Sequence, residues 1–158
     1  DEVVAGRSRS AFCCVRPPGH HAGRDGLLKD CISCGFCIFN NVMAGALYAL
    51  DTYPARVQRI AVVDLDVHHG NGTEDILKRR PSPLPPSAAV FFFSIHVYQP
   101  TGTGYPRAYE FYPGSGGRNV TERNIVNVPL TPQWGTGDPG PGAANRTRTN
   151  TKREQESL

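Results

Sequence analysis

The segment Ile60 to Gly72 constrains this chain more than any other. Ile60-Ala61-Val62-Val63 is a continuous apolar run, and Asp64-Leu65-Asp66-Val67-His68-His69-Gly70-Asn71-Gly72 follows it directly, so two carboxylates, two imidazoles and an amide fall within eight residues. Such a run predicts a parallel strand over about 60–66, buried on both faces and broken by Gly70 and Gly72. Strand alternation then puts Asp64, Asp66 and His68 on one face. That face lies at the carboxyl end of the strand, where open α/β sheets bind their ligands. Carboxylate oxygen with imidazole nitrogen, and no thiolate, suits Zn²⁺ or another borderline divalent ion better than Ca²⁺ or Mg²⁺. Asp66 and His68 are the candidate ligands. A polar strand end with a capping Asp explains any one of these groups, but five together are costly to bury unless paired or metal-bound.

A second constellation, Arg16-Pro17-Pro18-Gly19-His20-His21-Ala22, follows the apolar run Ala11 to Val15. It predicts a strand over 11–15 and then a stiff loop, because Pro17 and Pro18 fix φ and Gly19 permits a sharp turn. Adjacent imidazoles on such a loop can reach one cavity. A histidine that takes a proton from water there needs a carboxylate or amide behind it, and Asp64 and Asn71 are the available orienters.

Strands over about 11–15, 60–66, 89–95 and 125–128 alternate with helical stretches, which predicts an α/β fold with a parallel sheet. One helix is expected over 41–52, capped by Asn40 or Asn41, with Val42, Met43, Ala46, Leu47 and Leu50 on one stripe and Pro54 beyond its end. A second is expected over 74–80, with Thr73 as N-cap, acids at its start and Lys78, Arg79 and Arg80 at its end. Pro81 to Pro86 reads as an exposed, extended insertion. Thr136 to Leu158, rich in Gly, Pro, Asn, Thr, Arg and Glu without apolar periodicity, reads as a disordered tail, which gives a domain over 1–134 and a low-complexity tail over 135–158.

With 158 residues and a formal charge of +3, the chain fits one small domain, and the charge is too mild to argue for direct nucleic-acid binding. No stretch is long and apolar enough to span a membrane, and no signal peptide is recognisable. Cys31, Cys34 and Cys37 have a C-x2-C-x2-C spacing that could hold zinc or an iron–sulfur cluster, but no fourth ligand sits at suitable spacing. An odd count of five cysteines points to a reducing compartment.

Taken in order, Arg-Pro-Pro-Gly-His-His-Ala, Gly35-Phe36-Cys37-Ile38-Phe39-Asn40-Asn41, Asp64 to Thr73, Ser94-Ile95-His96 and Phe111-Tyr112-Pro113-Gly114-Ser115-Gly116 resemble the zinc-dependent histone deacetylase family. The likeness is closest to its class II branch, which has Asn-Gly-Thr where class I has Asp-Gly. It implies a three-layer arginase/deacetylase-like fold, incomplete at the carboxyl end. It further implies that Asp66 and His68 ligate zinc, that His20 and His21 are the catalytic pair with His21 as acid/base, that Asp64 backs His20, and that Asn71 orients His21. Gly35 and Phe36 would form one wall of an acetyl-lysine tunnel and Tyr112, where the family has Phe, the other. Asp64, Asp66, His68, Ser94 and Ile95 would surround a monovalent cation, K⁺.

The implied reaction is metal-assisted hydrolysis of acetyl-lysine in histones or other proteins, serving chromatin regulation and transcription repression. Acetylated histone tails would reach the protein through a corepressor complex, in the nucleus or the cytoplasm. A catalytic zinc has three protein ligands, yet the resemblance places the third, and the Tyr that stabilises the oxyanion, downstream of any residue here. Recognisable sequence stops near Gly135, as in the amino-terminal part of a deacetylase domain. Three functions follow: a deacetylase whose carboxyl half lies outside this sequence, a non-catalytic deacetylase-like interaction protein, or an amidohydrolase of small acetylated amines.

Overall fold

A computed structural model of the chain describes residues 1–29, 31–80, 89–99 and 111–132. Helix α1 (Asn41–Thr52) precedes strand β1 (Arg59–Asp64), helix α2 (Asn71–Arg79), strand β2 (Ala89–Val97), a 3₁₀ turn (Thr121–Arg123) and strand β3 (Ile125–Leu130). The three strands form one parallel sheet in the order β1-β2-β3.

Register decides which residues meet the helices. Val62 pairs with Phe92, which pairs with Ile125, so one sheet face carries a row of apolar side chains. Met43 and Leu50 from α1 and Leu77 from α2 pack on that row, with Val90 alongside. Phe92 and Ile125 are fully buried, and a sealed ring of this kind contributes about 3–5 kcal/mol. One step further along the same face the row turns polar: Asp64 pairs with Ser94, and Ser94 with Asn127. The opposite face carries Val63, Phe91 and Leu130, all exposed. Among the described residues, helices therefore cover one face of the sheet.

Helix α1 spans the expected residues. The Oδ1 of Asn40 accepts from the Met43 backbone N–H at 3.1 Å, so Asn40 and not Asn41 is the cap. Met43, Ala46 and Leu50 are buried and Leu47 partly so, while Val42 is exposed beside the stripe.

Three expectations need correction. Helix α2 begins at Asn71, three residues earlier than expected, and its N-cap is Gly70. Thr73 lies fully buried in the first turn, its backbone N–H donating to His20 O at 3.1 Å and its hydroxyl accepting from Asn40 Nδ2 at 3.1 Å. The neighbouring loop thus satisfies a first-turn donor that a cap would otherwise serve. The Ala11–Val15 run is not a strand: Phe12 is 92% exposed and Cys13 and Cys14 are exposed. No strand of the described sheet pairs with it, and an apolar run without a partner for its backbone groups has no ladder to join. Finally, β1 ends at Asp64 and is an edge strand of the sheet formed by the described residues, with Val63 58% exposed, not a strand buried on both faces.

Asp66 and His68 therefore stand on a loop rather than on a strand face. The cause is local. Asp64 Oδ1 accepts from the Asp66 N–H at 3.1 Å and Asp66 Oδ1 accepts from the His68 N–H at 2.8 Å, and these side-chain bonds replace the ladder. The Pro81–Pro86 insertion and the 135–158 tail lie outside the described residues.

Candidate active site

The loop that carries His20 and His21 is wedged between the starts of both helices. His20 O accepts from Thr73 in α2, and Ala22 O accepts from the α1 cap Asn40 at 3.1 Å. Gly19 is held against the Phe39–Asn41 backbone, and a Cβ on Gly72 would fall on the backbone of His21 and Ala22. Glycine at position 72 is what lets loop and helix touch.

Within this clamp the two imidazoles meet different partners. His20 Nδ1 donates to Asp64 Oδ2 at 2.8 Å; His21 Nδ1 donates to Asn71 Oδ1 at 2.8 Å. The Asn71 amide is oriented in turn, its Nδ2 donating to Cys31 Sγ at 3.5 Å. The electrostatic outcomes diverge. Burial opposes charge on His20, but the Asp64 hydrogen bond and charge, with Asp66 beyond, outweigh it and raise its pKa. Burial also disfavours charge on His21, where a neutral amide gives less compensation and His20 and His68 repel, so its pKa falls to about 4. The two rings lie 4.0 Å apart between centroids.

A cleft of about 460 Å³ opens over these rings. Its floor is His20, His21, Asp66 and His68; Gly35 and Phe36 line one side and Tyr112 the other. Gly35 (φ 52°) and Phe36 (φ 67°) are both in the left-handed region, and a Cβ on Gly35 would meet the His21 ring and Tyr112. Tyr112 stands edge-on to His21 at 4.8 Å and to His68 at 5.9 Å, and Phe111 stacks on His68 at 5.0 Å.

Asp66 Oδ1 and His68 Nδ1 are 3.0 Å apart on the open floor, near the separation of about 3.3 Å between two ligands of one tetrahedral zinc. Burial opposes charge on Asp66, but hydrogen bonds from the His68 backbone and ring lower its pKa, so it is a ready anionic donor. The donor chemistry fits a borderline divalent ion. Among the described residues no set of three or more His, Cys, Asp or Glu side chains is arranged for a metal, so the cysteine triplet makes no such site and Asp66 and His68 form a set of two. Of the residues considered for a monovalent cation, Asp64 and Ser94 are register partners, the Ser94 hydroxyl donates to His96 Nδ1 at 2.9 Å, and Ile95 is half-buried.

Beneath the floor lies a buried polar knot that the sequence did not reveal. His69 Nε2 donates to Glu74 Oε2 at 3.1 Å, Asn127 Nδ2 donates to the same oxygen at 2.8 Å, and Lys78 pairs with the other carboxylate oxygen. Burial works against charge on Glu74, yet these donors hold its pKa down to about 2. The Ser115 hydroxyl donates to His69 Nδ1 at 2.8 Å, and His96 Nε2 donates to Gly116 O at 3.2 Å. The knot thereby anchors the loop that bears Phe111 and Tyr112. The signal present in the sequence was the second histidine of the pair, followed five residues later by an acid in the first turn of a helix.

Comparison with known proteins adds a family. A profile described as the histone deacetylase domain matches residues 1–142. Type-2 histone deacetylase 1 of Dictyostelium discoideum is 44% identical over 128 residues, covering 81% of this chain and 7% of that protein. Histone deacetylase 15 of Arabidopsis thaliana is 35% identical over 144 residues, covering 88% of this chain and 21% of that protein. Among solved structures, the HDA15 HD domain aligns with a TM-score of 0.57 at 33% identity, and acetylpolyamine aminohydrolase from Burkholderia pseudomallei with 0.52 at 31%. The chain is covered to 81% and 82% in these two alignments, and it spans 32% of each of those chains. Its parallel sheet and helices are thus part of the arginase/deacetylase-like fold.

Proposed function

The chain belongs to the histone deacetylase family, and on that premise we propose that it carries the proton-handling part of a zinc-dependent lysine deacetylase site. The carrying observation is the opposed pair on one cleft floor: His20 backed by a carboxylate, His21 backed by an amide and held at about 4. Two titratable groups pushed apart by their surroundings are the signature of divided acid and base duties.

At neutral pH His21 is unprotonated. Its Nδ1–H is committed to Asn71, so the free lone pair is on Nε2, the atom that takes a proton from the attacking water and returns it to the departing lysine amine. His20 keeps a larger share of positive charge and donates from Nε2 toward developing negative charge. Gly35, Phe36 and Tyr112 exclude water along an extended alkyl chain. Asp66 and His68 would hold a divalent ion, which would supply Lewis acidity to the amide carbonyl and to water.

The third ligand and the oxyanion Tyr are assigned to polypeptide outside the described residues, and Asp64, Asp66, His68, Ser94 and Ile95 to a K⁺ site. Residues 1–134 form the partial deacetylase domain and 135–158 its tail. Acetylated histone tails within a corepressor complex, in nucleus or cytoplasm, are the proposed setting. Among the described residues no helix is long and apolar enough to cross a membrane. Similarity to an acetylpolyamine aminohydrolase keeps small acetylated amines as the second reading, and a non-catalytic interaction protein is the third.

The deciding experiment offers the full-length protein, loaded with zinc, an acetyl-lysine histone peptide and an acetylated diamine, and reads acetate release. Release from the peptide supports the deacetylase, and release from the diamine alone supports the second reading. No release from either leaves the non-catalytic function. Zinc calorimetry on His68→Ala should show binding abolished, and retained tight zinc would remove His68 from the ligand set.

A further inference from the structure

The two walls of the cleft come from segments 79 residues apart, yet one hydrogen bond joins them: Tyr112 Oη donates to Ser33 O at 2.8 Å. Ser33 holds its own wall as well, because its hydroxyl accepts from the Gly35 N–H at 3.0 Å. Gly35 is in turn so close to His21 and the Tyr112 ring that no side chain fits between them. Ser33, Gly35, His21 and Tyr112 thus close into a ring of contacts that joins the two walls. The Tyr112 ring can leave its edge-on seat against His21 and His68 only by breaking the bond to Ser33. Behind Tyr112, Ser115 and Gly116 are tied to His69 and His96, so the hydroxyl adds a further attachment to this loop.

We propose that the Tyr112 hydroxyl is a specificity-determining strap that fixes the width of the cleft, admitting an unbranched alkyl chain that ends in an amide and rejecting side chains of aromatic girth. The proposal rests on the acyl-lysine function given above and adds the selectivity of that site. A rigid aperture binds an extended chain at lower entropic cost than a mobile one, and its effect is felt in ground state and transition state alike.

The test is Tyr112→Phe in the full-length protein, which keeps the ring and removes the strap. Two measurements are needed. Hydrogen exchange without substrate should show the amides of Cys34 to Phe36 exchanging roughly three- to tenfold faster in the variant, since a lone neutral hydrogen bond is being lost. Kinetics on an acetyl-lysine peptide should show KM raised by a similar factor with kcat within about twofold. Preference over a peptide bearing acetylated 4-aminophenylalanine should fall at least threefold. Unchanged exchange would overturn the strap; changed exchange with unchanged KM and selectivity, in an enzyme that does cleave acetyl-lysine, would overturn its role in specificity. If wild-type protein is inert on acetyl-lysine while exchange still responds, the proposed function falls and the strap stands as structure alone, which overturns the specificity claim with it.

Discussion

His68 and His69 are neighbours in sequence and opposites in setting: the first is 38% exposed on the floor of the cleft, the second 1% exposed in the knot beneath it. Both regions are built from imidazole, carboxylate and amide. In the knot every nitrogen of His69 and His96 has a protein partner, and Glu74 is surrounded by donors. On the floor, Asp64 and Asn71 each engage only the Nδ1 of their histidine, with Nε2 left toward the cleft. Chemistry requires groups that are oriented on one side and uncommitted on the other; saturation on both sides makes structure.

Three measurements can break or sharpen that contrast. The largest effect is expected from His21→Ala in the full-length enzyme: acetyl-lysine hydrolysis should fall by about 10²–10⁴-fold, with about 1–3 kcal/mol of stability lost because Asn71 Oδ1 loses its buried partner. A variant that stays active would remove His21 as the base. Glu74→Ala should invert the pattern. It strands donors on His69 and Asn127, and because the Lys78 end is open to water the cost should be about 2–4 kcal/mol in urea unfolding. A loss below about 1 kcal/mol would mean that the knot is not structural.

The third effect is in pH, measured on metal-free protein. Glu74 is held at about 2 against an ordinary 4.5, so its stabilisation is full above 4.5 and lost as pH falls toward 2. His21 titrates at about 4 against 6.5, so the unfolded chain binds that proton first and stability declines as pH falls from 6.5 to 4. His20, raised above 6.5, acts in the reverse direction: its contribution is present below 6.5 and lost as pH rises through its folded value. His21→Ala should therefore remove the decline between 6.5 and 4 and leave the acid limb, whereas Glu74→Ala should remove the acid limb. Loss of both limbs in either variant would show that the two regions titrate as one.

Much of the fold was legible because local and tertiary signals agreed. Helix α1 had a cap, a stripe and a following proline, and β1 and β2 were marked by apolar runs. Helix α2 was read three residues late because Asn71 and Gly72 look like loop, whereas contact with the His20–Ala22 backbone makes Gly72 the residue that fits. The Ala11–Val15 run misled because periodicity records what a segment could bury and not whether a partner exists. Of the site, the stretches bearing His20 and His21 and Asp64 to Asn71 could be singled out, since chemistry-bearing residue types were crowded there, whereas Tyr112 was reached only through the family resemblance. The knot and the strap were invisible: they depend on Asn127, Ser115 and Ser33, ordinary residues made special by distant partners.

The turn between Asp64 and Asn71 has a consequence for how such a gene can change. Leu65, Asp66 and Val67 along it are exposed and His69, Gly70 and Asn71 are buried, with His68 at the open cleft and His69 sealed beneath it. Deleting or inserting one codon there would move one imidazole into the other's place, leave a place without an imidazole and shift Asn71 off the start of α2. Substitutions in this stretch can be absorbed one at a time, but its length is as fixed as the spacing of teeth on a gear.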